Sequence, residues 1–348
     1  MESVPVVIAT PLEAELVDRL REVDERLDIR FEADLLPPPR YPSDHRGDLA
    51  FRRTPEQEDR FRRLLAGAEV LYGIPGESPQ ELAQAVRAAP GLRYVQGTAA
   101  GAGQQVRAAE LTAEELQRVA FASASGVHAV PLAEWSLLGL LALTKDVPRL
   151  RRDTAAKRWD HYAVAELRGA TVLVVGVGAI GREVARLASA FGMRVVGVRR
   201  NADEPVPYVD SLHPPEALDD LVGDADAIVI TLPMTDETQG LVSRRTIDRM
   251  RTGAIFVNVG RGGVVDEDAL TDALVSGKLA GAALDVFAEE PLPETSRLWT
   301  LDNVIISPHT AALSWHENER IIELFAQNLG RYLRGEELIS RVRTGVFY

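Results

Sequence analysis

The sequence predicts an α/β protein of two parallel-sheet domains. Its 348 residues exceed what one small core fills and suit two. β-branched runs alternate with segments of helical period, the pattern of parallel strands joined by helical crossovers. After Arg168 the strand-like runs are apolar at nearly every position, as a sheet covered on both faces requires.

The elements follow in order. "VPVVIAT" at Val4 is a short β run, and "PLEAELVDRLREV" after it has helical spacing. "LLPPPRYPSDHRGDLAFRRTP" is rich in proline and charge, so it cannot continue a helix or a central strand. It reads as an exposed loop over 36–56, with a flap over a ligand cleft as the functional alternative. Strand then helix recurs at "EVLYGIP" with "PQELAQAVRAA", and "LRYVQGT" starts the next unit. "AVPLAEWSLLGLLAL" from Ala129 contains Glu134 and is too short to span a bilayer, so a buried helix is expected. Strands are expected at "ATVLVVGVGAIG", "MRVVGV", "AIVITLP", "AIFVNVG", "GAALDVF" and "NVIISPH". One long helix, "SWHENERIIELFAQNLGRYLRG", follows His309.

Composition removes several function classes. A formal charge of −13 argues against a nucleic-acid or anionic-membrane partner, since both need a large basic face. The chain has no cysteine, which excludes disulfides, thiolate catalysis and Cys-ligated metal and fits the cytoplasm. The opening "MESVPVVIAT" does not read as a signal peptide. His45, His128, His161, His213 and His316 show no metal-ligand spacing, and no metal is expected.

Gly176, Gly178 and Gly181 form G-x-G-x-x-G between a strand and a helix, with Ala179 and Ile180 inside the turn. The first glycine permits the tight turn, the second lets the backbone approach a pyrophosphate, and the third lets helix and strand pack closely. The helix N-terminus then faces the anion. A ribose-reading residue is expected about 20 residues further on, at the end of the second strand. This chain has "VVGVRRN" there, with Arg199 and Arg200 in place of an acid. A guanidinium has no acceptor for the ribose diol, but it forms charge-assisted bidentate bonds to a 2′-phosphate. Bonds to charged groups contribute about 1.5–3 kcal/mol, roughly a 10- to 150-fold preference. NADP is therefore the preferred cofactor and NAD the second.

Three polar residues follow successive late strands: Arg261 after "FVNVG", Glu290 after "LDVFAE" and His309 after "VIISP". In open α/β sheets, ligands collect beyond the C-terminal ends of strands. Those residues would therefore face whatever the glycine turn holds. The run from Gly176 to Thr310 resembles the D-isomer-specific 2-hydroxyacid dehydrogenase family, of the glyoxylate/hydroxypyruvate reductase kind. "GVGAIG", "TLPMTDETQGLV", "MRTGAIFVNVGRGGVVDEDALTDALVSGKLAGAALDVFAEEPLP" and "NVIISPHT" carry the resemblance, with weaker matches at "TAAGAG" and "VPLAEWSLLGLLALTKDVP".

The resemblance implies two Rossmann-like or flavodoxin-like domains, the cofactor domain inserted within the substrate domain. Their expected extents are 106–307 for the dinucleotide-binding domain and 1–105 plus 308–348 for the substrate domain, with the active site in a cleft between them. It implies an NAD(P)-dependent oxidoreductase that transfers hydride between nicotinamide and C2 of a small 2-oxo acid, and a homodimer. Arg261 would bind the substrate carboxylate and polarise the 2-oxo group, His309 would exchange the proton, and Glu290 would orient the imidazole. Glu290 is preferred to Glu289 because it precedes Pro291, as in the family's Glu-Pro. Asp285 would meet the nicotinamide carboxamide. Backbone groups around Leu232 and Gly260, Pro233 and Val259 included, would line the cofactor. Main-chain amides near Ala100 and Gly101, with Ile74, would hold the substrate's carboxylate end. Asp266 reads as a helix N-cap.

The chain departs from the family where Arg199 replaces the usual acid and where Thr231 replaces a frequent histidine. Two rival readings follow from the same resemblance: a dinucleotide-sensing corepressor-like binding protein, and a formate- or phosphite-type dehydrogenase. Formate enzymes of this kind carry glutamine at the position of Glu290.

Overall fold

In a computed structural model, which describes residues 3–345 and 347, the strands form two all-parallel sheets, one in each of two units. One unit takes the residues up to His128 together with those from Leu313 onward, and the other takes Ala129–Ala312.

The first sheet contains β1 (Val4–Ile8), β2 (Leu27–Arg30), β3 (Val70–Tyr72), β4 (Tyr94–Gln96) and β5 (Ala120–Ala122), in the order β2-β1-β3-β4-β5. Helices cover both faces. On one side, Leu82, Val86 and Phe61 join Leu71 and Val95 in a core. On the other, the helix Glu317–Leu333 delivers Ile321, Ile322, Phe325 and Leu329 onto Tyr72 and Tyr94. Its Phe325 ring lies 5.0 Å from that of Tyr72.

The second sheet contains β6 (Thr171–Val175), β7 (Arg194–Val198), β8 (Ser211–His213), β9 (Ala227–Ile230), β10 (Ile255–Asn258), β11 (Gly281–Leu284) and β12 (Val304–Ile306). Their order is β12-β11-β10-β9-β6-β7-β8. The chain runs from β6 outward to β8, then crosses back to place β9 beside β6. The direction of winding therefore reverses between β6 and β9, where doubly wound sheets open a ligand crevice. Two apolar clusters fill the two faces.

Three expectations need correction. The boundary expected at 105/106 lies at 128/129, because β5 pairs with β4 and so extends the first sheet. The boundary expected at 307/308 lies at 312/313, because Thr310 and Ala311 donate their amides to Asp285, just beyond β11. The 36–56 loop is irregular up to residue 54 and largely exposed, as expected, and it is also anchored. Asp44 is buried and accepts from the Arg40 amide and guanidinium and from the Gly47 amide. The segment ends where Thr54 and Gln57 form a capping box that starts the helix Pro55–Ala66. Finally, the apolar helix Ala129–Thr144 is not buried all round: Leu132, Ala133, Leu137 and Leu140 face the core, while Val130 and Leu138 are exposed.

Candidate active site

β6 delivers Gly176 with φ +104°, a conformation that only glycine adopts without strain. A Cβ on Gly181 would overlap the carbonyl oxygen of Gly176, so the helix Ala179–Ala190 approaches its strand closely only because Gly181 lacks a side chain. At Gly178 a Cβ would touch no protein atom within 4 Å. The protein itself therefore does not require a glycine there, whereas an anion approaching the main chain would. Gly178 caps the helix without a side chain, so no side-chain oxygen competes for the first-turn amides. These residues fit a pyrophosphate.

The neighbouring strand ends complete the edge. Thr231 donates its hydroxyl to the Gly176 carbonyl, and Leu232 would touch a Cβ on Gly176. A Cβ on Gly260 would press on the Leu232 main chain, so Gly176, Leu232 and Gly260 converge beyond β6, β9 and β10. Pro233 is half-buried, and its carbonyl accepts from Thr238 Oγ1 at 2.6 Å. Val259 buries its side chain in the core, which leaves its main chain at this edge. Ile180 likewise packs partly against that core, and Ala179 is exposed.

Arg199 continues β7, its amide donating to His213 O at 3.0 Å. Among the described residues its guanidinium has no hydrogen-bond or ion-pair partner. Arg200 is exposed and pairs with Glu237 at 3.2 Å.

Beyond β10, β11 and β12 the three expected polar residues are linked. His309 has φ +56° and donates its amide to Asp285 O at 2.9 Å. Its Nδ1 lies 2.7 Å from Glu290 Oε2. Glu290 Oε1 accepts from the Phe287 amide at 3.0 Å, so both carboxylate oxygens are engaged and the side chain is fixed. A carboxylate only accepts, so the hydrogen sits on Nδ1 and Nε2 is left to exchange a proton. Arg261 donates Nη1 to its neighbour's carbonyl, Gly260 O, at 2.6 Å, and no carboxylate among the described residues neutralises it. The next residue, Gly262, packs against the Phe287 carbonyl so closely that a Cβ would overlap it. The arginine's segment therefore abuts the turn that carries Glu290.

Two residues with positioning contacts were not readable as such. Asn258 braces the Arg261 segment, accepting from Gly260 N at 3.0 Å and donating to Arg261 O at 3.2 Å. Asp285, expected to meet a carboxamide, is buried and uses Oδ1 to accept from Thr310 N at 2.9 Å and Ala311 N at 3.0 Å. It thereby fixes the segment just after His309. "FVNVG" and "LDVF" gave only the strand ends; which main-chain groups these side chains reach is a tertiary fact. Asp266 caps the helix Glu267–Val275, as its sequence context implies.

In the first unit, Ala100 is exposed and Gly101 half-exposed, and neither amide has a protein acceptor among the described residues. Ile74 is fully buried, which leaves its main chain just beyond the end of β3. A cavity of ≈ 220 Å³ in this unit is lined by Ala9 just after β1, by Gly76 in the turn that follows β3, and by His45, Arg46 and Phe51 from the loop. Among the described residues no group of three or more His, Cys, Asp or Glu is placed to hold a metal ion. No helix among them is long and apolar enough to cross a membrane.

The family model for "D-isomer specific 2-hydroxyacid dehydrogenase, NAD binding domain" matches residues 137–311. The chain belongs to that family. Residues 137–311 are its NAD-binding domain, and the chain is an oxidoreductase that acts on CH–OH groups. A glyoxylate reductase of Korarchaeum cryptofilum is 34% identical over 73% of this chain and 77% of its own length. A hydroxypyruvate reductase of Thermotoga maritima is 37% identical over 57% of this chain. The chain spans 65% of that reductase and 41% of a similar D-3-phosphoglycerate dehydrogenase of Methanocaldococcus jannaschii. Among solved structures, a family protein of Aeromonas salmonicida superposes with a TM-score of 0.79 at 27% identity, over 99% of this chain and 100% of the other. One of Xanthobacter autotrophicus, solved in complex with NADPH and MES, gives 0.77 at 26% identity over the whole of both chains.

Proposed function

We propose that this chain reduces a small 2-oxo acid, such as glyoxylate or hydroxypyruvate, to the D-2-hydroxy acid with NADPH. The observation that carries the reading is the His309–Glu290 pair, 2.7 Å apart, with no partner for the far ring nitrogen among the described residues. A bound reduced nicotinamide supplies the hydride that adds to C2. Arg261 presents its planar fork to the substrate carboxylate and the 2-oxo oxygen, drawing electron density from the carbonyl. His309, protonated, gives the Nε2 proton to that oxygen as the C2–H bond forms, and takes it back in the oxidative direction. Glu290 holds the ring by Nδ1 and balances the charge of the imidazolium. In the first unit, Ile74 and the amides of Ala100 and Gly101 would bind the substrate.

The preference for NADPH rests on Arg199, a cation without a partner among the described residues at the end of β7, with Arg200 beside it. The NADPH complex of the Xanthobacter relative supports it. Asp285 is proposed to meet the carboxamide with the carboxylate oxygen that Thr310 and Ala311 do not use. We further propose a cytoplasmic homodimer. The second unit exposes Leu138, Leu150 and Trp159, the last at 90%, which a second copy would cover. Light scattering on the purified chain tests that state.

The direct test is a panel of 2-oxo acids followed by nicotinamide absorbance with NADPH and with NADH. Turnover of at least one acid, faster with NADPH, is expected. Clear cofactor binding without turnover of any acid would favour the dinucleotide-sensing reading instead.

A further inference from the structure

Glu267 stands at the start of the helix Glu267–Val275, in the segment that carries Arg261, yet its side chain serves another loop. Its Oε2 accepts from the Ala288 amide at 2.8 Å. The preceding amide, Phe287 N, donates to Glu290 Oε1 at 3.0 Å. Two successive amides of one turn are therefore held by two carboxylates, one from outside the turn and one from within it. The second contact between the same segments is steric, Gly262 lying against the Phe287 carbonyl.

We infer that Glu267 is a positioning residue that sets where Glu290, and through it the His309 ring, stands relative to Arg261. The inference rests on the roles proposed above for those three residues. Asn258 tethers the arginine's own segment and Asp285 tethers the segment after His309. Glu267 is the side chain that bonds the arginine's segment to the turn bearing the histidine's partner. Without it, the turn keeps the internal Glu290 bond but can shift as a unit. Histidine and guanidinium would then no longer meet the same oxygen at the same moment. A displacement of about 1 Å in such a set costs on the order of 100-fold in rate.

The experiment compares Glu267→Ala, Glu267→Asp, Glu267→Gln and Glu290→Gln with wild type. It measures kcat with the best acid of the panel and NADPH Kd by nucleotide fluorescence. Glutamine keeps an oxygen at the Oε position and can accept from Ala288 N, whereas aspartate keeps the charge but stops one methylene short. Glu267→Ala and Glu267→Asp should lose about 10- to 100-fold in kcat. Their NADPH Kd should stay within about twofold, and Glu267→Gln should recover to within about threefold of wild-type kcat. If the alanine variant fails to fold, the aspartate variant carries the test. The inference is overturned by undiminished kcat in Glu267→Asp, or by a glutamine variant as impaired as the alanine one with cofactor binding weakened in parallel. If Glu290→Gln turns over like wild type, the proposed roles fall and this inference falls with them. Loss in Glu290→Gln with none in Glu267→Asp removes Glu267 alone.

Discussion

Replacing Glu290 by glutamine isolates the charge and the tautomer in one nearly isosteric change. The carboxylate meets two donors, Phe287 N at 3.0 Å and His309 Nδ1 at 2.7 Å. The amide brings one acceptor and one donor. If its oxygen stays with Phe287, its NH2 faces Nδ1, which must then accept; the neutral ring carries its hydrogen on Nε2 and has no lone pair there to receive a proton. If the amide turns over, NH2 meets the Phe287 N–H and that bond is lost. In both cases the negative charge beside the imidazolium is gone. A hydrogen bond to a charged group contributes about 1.5–3 kcal/mol. The side chains of His309 and Glu290 are 43% and 36% exposed, so water screens the pair and the lower part of that range applies. We expect kcat/KM for reduction of the best 2-oxo acid at neutral pH to fall about 10- to 30-fold. NADPH Kd should stay unchanged. A kcat/KM within about twofold of wild type, with cofactor binding intact, would refute the role given to Glu290.

Arg199→Asp should lower kcat/KM for NADPH by about 10- to 150-fold and improve NADH use, read as the ratio of the two constants; an unchanged ratio would remove Arg199 as the phosphate reader. Thr231→Val deletes the hydroxyl that fixes the Gly176 carbonyl. It should raise KM for NADPH and NADH alike by about 3- to 10-fold, roughly one net hydrogen bond, with Thr231→Ser close to wild type. For Asp44, burial pushes the carboxyl up, but hydrogen bonds from the Arg40 side chain and from the Arg40 and Gly47 amides outweigh it and hold the pKa at about 2, against an ordinary 3.8. Its folded pKa is depressed, so its stabilisation is fully present above pH 4 and is lost as pH falls toward 2. Asp44→Asn should cost about 2 kcal/mol at pH 7 and flatten the stability curve over that interval, as urea titrations would report.

The glycine turn was legible because two of its glycines answer a steric need that residue type alone reveals. Gly176 needs positive φ, and Gly181 needs closeness to Gly176. Arg261, Glu290 and His309 were legible because strand ends of an open sheet converge on one edge, so position after a strand already implies proximity. β2, β5 and β8 were missed. β2 is an edge strand with half its residues charged, while β5 (AFA) and β8 (SLH) contain no β-branched residue, unlike the equally short β3, β4 and β12. Missing β5 moved the expected domain boundary by more than twenty residues. Asp44 was hidden for another reason: a proline-rich charged run looks solvated unless the Arg40 and Gly47 amides that fold onto one carboxylate are seen. The contacts of Asn258, Glu267 and Asp285 depend on pairings between segments, and spacing along the chain carries no signal of them.

The central claim is that hydride reaches C2 of a 2-oxo acid while His309 supplies the proton to its oxygen. Reduction of glyoxylate or hydroxypyruvate with NADPH carrying deuterium at the transferred C4 position tests it most directly. The account predicts deuterium bound at C2 of the 2-hydroxy product, D configuration where C2 is a stereocentre, and near-complete loss of that product with His309→Asn while NADPH still binds. Product without deuterium at C2, or undiminished product from the histidine variant, would contradict it.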